Sequence, residues 1–271
     1  MMAEYPKLLN GEMARAYLAG LKTQTRSPMW TQPVFTGGGL AFGSKMFLRE
    51  RGGHQGSGEK LLAALGKLGP FGKPGDSLWV REAWRYHDWT EDGDPWIEYR
   101  ADGEARLIED VPDDWRERVN DVWADLSDPA NFGIDGAARD RKWRPSILMP
   151  RWACRLVLPV KVVWVERVQD VSAADAIAEG IKAYAGGVGG YKIYTPTTGP
   201  GGGGPCESFA SLWDSIYAEP RPRKEAGIVT HYVSYPWGGE RKTREHNGLL
   251  WRVYPNPLVW ACEVEPWKGE V

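Results

Sequence analysis

Near the start of the chain, three side chains able to do chemistry lie within five residues: Lys22, Thr25 and Arg26, in the stretch LAGLKTQTR from Leu18 to Arg26. A lysine just past a helix end has its pKa lowered if it is partly desolvated, and it can then accept or relay a proton. A threonine hydroxyl within its reach becomes a nucleophile of the Ser-Lys or Thr type. A carboxylate alongside would orient the lysine or serve as general base, and Glu179 is the candidate. The same letters also read as a solvated lysine at a helix C-terminus followed by strand-forming threonines. Spacing alone favours that plainer reading.

A second group mixes cations with aromatic rings. Trp79 and Arg81 share one face of a strand, opposite Leu78 and Val80. Trp79 could stack a base, and Arg81 could hold a phosphate or a base edge. The run Arg139 to Arg144, which contains Trp143, with Arg151 and Trp152 beyond it, suits single-stranded nucleic acid as well as it suits a solvated charge run around packed rings. The four histidines, His54, His87, His231 and His246, fall in expected loops without ligand spacing. No phosphate-loop, dinucleotide or H-E-x-x-H pattern occurs.

The elements that must position these residues can be read coarsely. Asn10 caps a helix over Glu12 to Leu21, whose Met13, Tyr17, Leu18 and Leu21 recur at helical spacing. Lys22 to Arg26 then leaves as a short extended segment, stopped by Ser27-Pro28. Strands are expected over Ser77–Trp84, Trp96–Ala101, Arg155–Val168 and Leu258–Glu265, and helices over Glu59–Leu68, Asp113–Leu126, Ser172–Glu179 and Glu207–Tyr217. Ser172 and Asp175 form a capping-box-like start, and Gly180 stops that helix just after Glu179. The glycine-rich stretch 186–204 reads as a linker and residues 219–250 as polar and irregular. Together these predict an α+β chain built on a small β-barrel with flanking helices and long loop insertions.

The totals narrow the class. The chain has 271 residues, a net charge of -2 and 42% hydrophobic residues, which is a globular balance without a global polyanion signal. Fifteen tryptophans are an excess, and most should fill cores. Cys154, Cys206 and Cys262 form no C-x-x-C pair, so neither a disulfide framework nor a metal site is expected, and a reducing cytoplasm is the simplest compartment. No signal-peptide or membrane-length apolar run is present, no cofactor motif stands out, and the oligomeric state is not legible.

Several blocks in order resemble the ASCH family of the PUA-like superfamily, in particular its longer phage and prophage members. They are AGLKTQT from Ala19 to Thr25, PGDSLWVRE from Pro74 to Glu82, YRADG from Tyr99 to Gly103, WRPSILMPRWA from Trp143 to Ala153, AEGI from Ala178 to Ile181 and VWACEV from Val259 to Val264. The blocks leave out residues near 30–70, 104–140, 183–206 and 219–250, which become insertions in a single domain spanning 1–271. The resemblance implies a PUA-like barrel whose cleft takes a nucleoside or nucleic acid. A small bacterial member removes the acetyl group from the exocyclic amine of acetylcytidine. Carried over, Thr25 attacks the amide carbonyl or positions a water, Lys22 tunes that hydroxyl and Glu179 shuttles the proton. Arg26, Trp79, Arg81, Arg151 and Trp152 become the substrate-binding set. In the small enzyme one residue separates the threonine from the arginine, whereas Arg26 follows Thr25 directly, which leaves the role of Arg26 open. The competing expectations are an amidohydrolase acting on a modified cytidine, a non-catalytic reader of RNA or modified DNA, and an accessory protein that binds a partner through exposed tryptophans.

Overall fold

A computed structural model describes residues 2–30, 32, 34–36, 39–42, 45–49, 69–127, 142–183, 190–195 and 203–269. Fifteen strands are described: β1 (Glu4–Leu8), β2 (Gln24–Pro28), β3 (Val34–Thr36), β4 (Gly39–Phe42), β5 (Lys45–Arg49), β6 (Ser77–Arg81), β7 (Trp84–Trp89), β8 (Pro95–Tyr99), β9 (Ala105–Leu107), β10 (Val157–Arg167), β11 (Arg221–Glu225), β12 (Ile228–Ser234), β13 (Lys242–His246), β14 (Leu249–Val253) and β15 (Leu258–Val264). α-Helices span Gly11–Leu18, Asp113–Ser127, Ala173–Ala178 and Pro205–Tyr217. The class is therefore α+β. The chain divides into two compact units: residues 1–20, 76–159 and 266–271 form one, and residues 21–75 and 160–265 form the other.

In the first unit β1 pairs in parallel with β6, and Val157–Pro159 pair with the other side of β6. Leu78 and Val80 are buried, while Ser77, Trp79 and Arg81 alternate on the half-buried face. The expected strand Ser77–Trp84 breaks at Glu82-Ala83, and Trp84 opens β7, the first strand of the β7-β8-β9 meander. The helix Asp113–Ser127 adds Val119 to a core of Trp84, Tyr86, Ile97, Tyr99, Val111, Met149 and Ala153. The helix Gly11–Leu18 starts where Asn10 accepts the Met13 N–H at 2.8 Å.

In the second unit the remainder of β10 pairs antiparallel with β15, and β15 pairs antiparallel with β2. The helix Pro205–Tyr217 buries Phe209, Leu212 and Trp213 at helical spacing, and the Trp213 indole N–H reaches the Tyr235 carbonyl at 2.7 Å. Full burial of one such apolar side chain contributes about 1.5–3 kcal/mol. Strands β3, β4 and β5 form a meander.

Two expectations change. The small barrel is replaced, among the described residues, by open sheets: β1 and β2 are edge strands, and no ladder closes on itself. Residues 219–250, expected to be irregular, form most of a four-stranded sheet of order β11-β12-β14-β13. The expected helix Glu59–Leu68, most of the glycine-rich stretch 186–204 and residues 139–141 lie outside the described residues. Among the described residues no helix is long and apolar enough to cross a membrane.

Candidate functional site

The second unit gathers the chemistry. The helix Ala173–Ala178 begins at Ser172, whose hydroxyl oxygen accepts the Asp175 N–H at 3.1 Å. It ends at Glu179 because Gly180 turns to a φ of 82°, a left-handed value that favours glycine. The chain at residues 22–23 docks on this helix end. The Thr23 N–H donates to the Ala178 carbonyl at 2.8 Å, and the Lys22 ammonium donates to the Glu179 carbonyl at 2.7 Å. A cation is favourable where helix carbonyls lack partners.

The same ammonium donates to Glu179 Oε2 at 2.5 Å. The second carboxylate oxygen, Oε1, accepts from Arg26 Nη1 at 3.0 Å. Arg26 Nε donates to Glu166 at 2.6 Å, and Nη1 also reaches Gln24 Oε1 at 3.0 Å. Gln24 in turn donates to Asp175 at 2.7 Å. Lys22, Gln24, Arg26 and Glu179 are all buried. Burial lowers the Lys22 pKa; Glu179 opposes the shift without cancelling it, and Arg26 adds to it. Burial works against the Arg26 charge as well, but Glu179 and Glu166 outweigh it, so the guanidinium titrates above the usual arginine range.

Strand register explains how Arg26 reaches Glu166. Arg26 pairs with Ala261 on β15, and Ala261 pairs with Trp164 on β10. The three form one row on one face of the sheet. Ala261 is small, so the Arg26 guanidinium extends over it to within 5.6 Å of the Trp164 ring centre and meets Glu166 two residues along β10. The Phe209 ring lies 5.9 Å away. One donor is left over: Arg26 Nη2 is buried and has no hydrogen-bond partner among the described residues. A buried guanidinium nitrogen without an acceptor is costly, and a ligand carbonyl oxygen would satisfy it.

Thr25 belongs to the opposite row, with Cys262 and Val163. It is buried and makes no side-chain hydrogen bond among the described residues. Lys22, Arg26 and Glu179 therefore converge, and the Thr25 hydroxyl stands on the other face of β2. The sequence expectation groups Thr25 with Lys22 and Glu179; register sets it on the row opposite Arg26. Alternation along an extended strand dictates this: with Arg26 turned toward Glu179, its neighbour must turn away.

The remaining substrate-binding candidates belong to the first unit. Arg81 lies over the Trp79 ring at 5.3 Å and donates to the Ile147 carbonyl. Arg151 is held by Glu4 through two bonds of 2.7 and 2.9 Å. Trp152 packs edge-on against Trp84 at 6.3 Å and Trp115 at 5.9 Å, so it anchors the core rim rather than presenting a free ring. In this unit the sequence reading also missed Arg155. It is fully buried and spends its donors on Glu82, Asp102 and Glu104, with Tyr99 beneath it at 4.1 Å. An arginine with every donor used in this way is a structural tie. In the second unit Glu166, Trp164 and Ala261 were missed as well; the sequence signal for Glu166 was a carboxylate following the apolar run Val162–Val165 of a strand.

Among the described residues no group of three His, Cys, Asp or Glu side chains is placed to hold a metal ion. No family model, no curated protein and no solved structure matches the chain.

Proposed function

We propose that the chain is an ASCH-type, PUA-like protein of the cytoplasm that hydrolyses an acylated exocyclic amine on a cytidine-like nucleoside. The observation that carries this reading is Arg26 Nη2, without a hydrogen-bond partner among the described residues, beside the buried Lys22–Glu179 pair. An amidohydrolase needs a donor aimed at the carbonyl oxygen and a proton acceptor for the nucleophile. Arg26 supplies the donor through Nη2. Lys22 and Glu179 supply the acceptor, because burial pushes Lys22 toward its neutral form. The half-buried Trp164 ring offers a flat heterocycle a stacking surface.

In this reading the nucleophile is water, since Thr25 stands on the opposite face of β2. The water oxygen forms a bond to the acyl carbon while its proton passes to the Lys22–Glu179 pair. Arg26 holds the oxyanion. The C–N bond then breaks, the leaving exocyclic nitrogen takes the proton, and a free carboxylic acid and the unmodified nucleoside depart. Cys154, Cys206 and Cys262 form no disulfide, which fits a reducing compartment.

The test is incubation with a panel of acylated cytidines and deoxycytidines, followed by chromatography. Release of free nucleoside is expected, with turnover abolished in Lys22→Ala while the circular dichroism spectrum is unchanged. Failure to turn over any member of the panel, or full activity in that variant, would overturn the reading.

A further inference from the structure

The β11-β12-β14-β13 sheet lies outside every family-like block and takes no part in the site above. Its charge is unlike that of the whole chain. Between Arg221 and Val253 seven Lys and Arg residues stand against three Glu, a net of +4 in a protein of net charge -2. Register sorts these charges by face. Arg244 pairs with Trp251, and Trp251 pairs with Tyr232, so the three share one face. Lys242 and His246 flank Arg244 on the same side of β13, whereas Glu245 points to the other side. That face therefore carries three half-exposed rings, Tyr232, His246 and Trp251, beside two exposed cations.

The rings are locked together. His246 stands edge-on to Tyr232 at 4.6 Å and to Trp251 at 6.0 Å. Trp251 donates to Ser234 Oγ at 2.9 Å, and the Arg244 guanidinium lies 5.3 Å from the Trp251 ring centre. Neither Lys242 nor Arg244 has a carboxylate partner among the described residues. Two unneutralised cations, two residues apart on a strand and thus about 6.8 Å apart along it, border a fixed aromatic platform. Phosphate neutralisation with base stacking is how single strands are held on sheet surfaces.

We propose that this face binds single-stranded nucleic acid through Lys242, Arg244 and the Tyr232–His246–Trp251 platform. The surface is independent of the Lys22 site, so the two readings can fail separately. The experiment is fluorescence anisotropy of the full chain with a labelled oligothymidylate of about 12 nucleotides, a length within the range that single-strand sites cover, titrated across salt. Binding is expected at about 50 mM salt and should weaken as salt rises. The double variant Lys242→Gln/Arg244→Gln should lower the slope of log K against log salt by about 1.4, two phosphates at about 0.7 each. Trp251→Ala should weaken binding by about tenfold or more, as loss of one stacked base does. Nucleoside turnover should be unchanged in the double variant. Absence of oligonucleotide binding by the unaltered protein, or indifference of binding to both variants, would overturn the proposal. So would equal binding of polyglutamate or of phosphatidylserine vesicles, which would mark a general anion surface.

Discussion

Lys22 grips Glu179 at two points, its ammonium donating to the carboxylate at 2.5 Å and to the backbone carbonyl of the same residue at 2.7 Å. The side chain is thus both the cap of a helix and half of a buried ion pair. Because Arg26 holds the other carboxylate oxygen, both cations share Glu179, and Arg26 has Glu166 as a second anion.

That dependence makes the cluster asymmetric under mutation. Glu179→Ala takes the carboxylate from the buried Lys22 ammonium, leaves Arg26 with Glu166 alone, and should destabilise the protein by about 3–5 kcal/mol. Lys22→Met leaves Glu179 with Arg26 and should cost clearly less. Urea denaturation of the two variants measures the difference, and equal losses would show that the carboxylate is not shared as described.

The lowered Lys22 pKa sets a pH dependence. Its neutral form is the proton acceptor, so kcat/KM should rise with pH through an apparent pKa below the ordinary lysine value of about 10.4. In the interval between the folded and unfolded pKa values the unfolded chain holds more protons on this residue. Stability should therefore also rise with pH across that interval, and fall as the pH drops through it. The rate trend is read from the pH–rate profile of the unaltered protein, and the stability trend should vanish in Lys22→Met when unfolding is measured at several pH values.

Ala261 sets the reach of Arg26 over the sheet. Ala261→Leu should push the guanidinium away from Trp164 and Glu166, abolish turnover and cost about 1–3 kcal/mol through overpacking. Thr25→Val, on the opposite row, should retain turnover to within about tenfold, less than the loss of a positioned acid–base group causes. A rate collapse in Thr25→Val with an intact fold would return the nucleophile to that hydroxyl.

Arg155 and Glu82 should behave as a coupled pair in the first unit. Both are buried, and burial raises the Glu82 pKa against the pull of Arg155. Arg155→Met alone should cost about 3–5 kcal/mol, because it leaves Glu82 buried and unpaired. Adding Glu82→Leu should recover part of that loss in a double-mutant cycle.

The sequence announced the parts of the site that follow local rules. Asn10, Ser172 and Gly180 mark their helix ends by cap chemistry, and the end marked by Gly180 is where Lys22 meets Glu179. Period-two patterning marked Leu78, Val80 and the final strand. What it hid depends on partners far away in the chain: Glu166 and Ala261 join Arg26 only through strand register. The basic sheet was hidden for another reason. Its strands expose polar residues on both faces, so no apolar alternation appears. Its turns were nevertheless legible: Asn247-Gly248, with φ of 51° and 74°, is a hairpin signal that outweighs the polarity of the flanking strands.

The row that carries Arg26 also disciplines folding. β2 is an edge strand, the kind most prone to slide along its neighbour or to recruit a stray strand. A slip of one residue would turn Arg26 to the face of Thr25, leave Glu166 and Glu179 without their guanidinium, and present Thr25 to two carboxylates. Pro28 at the end of β2 removes one ladder donor as well. The residues that would polarise a substrate thus hold the strand in alignment, and variants that relax them should misassemble and aggregate as well as lose turnover.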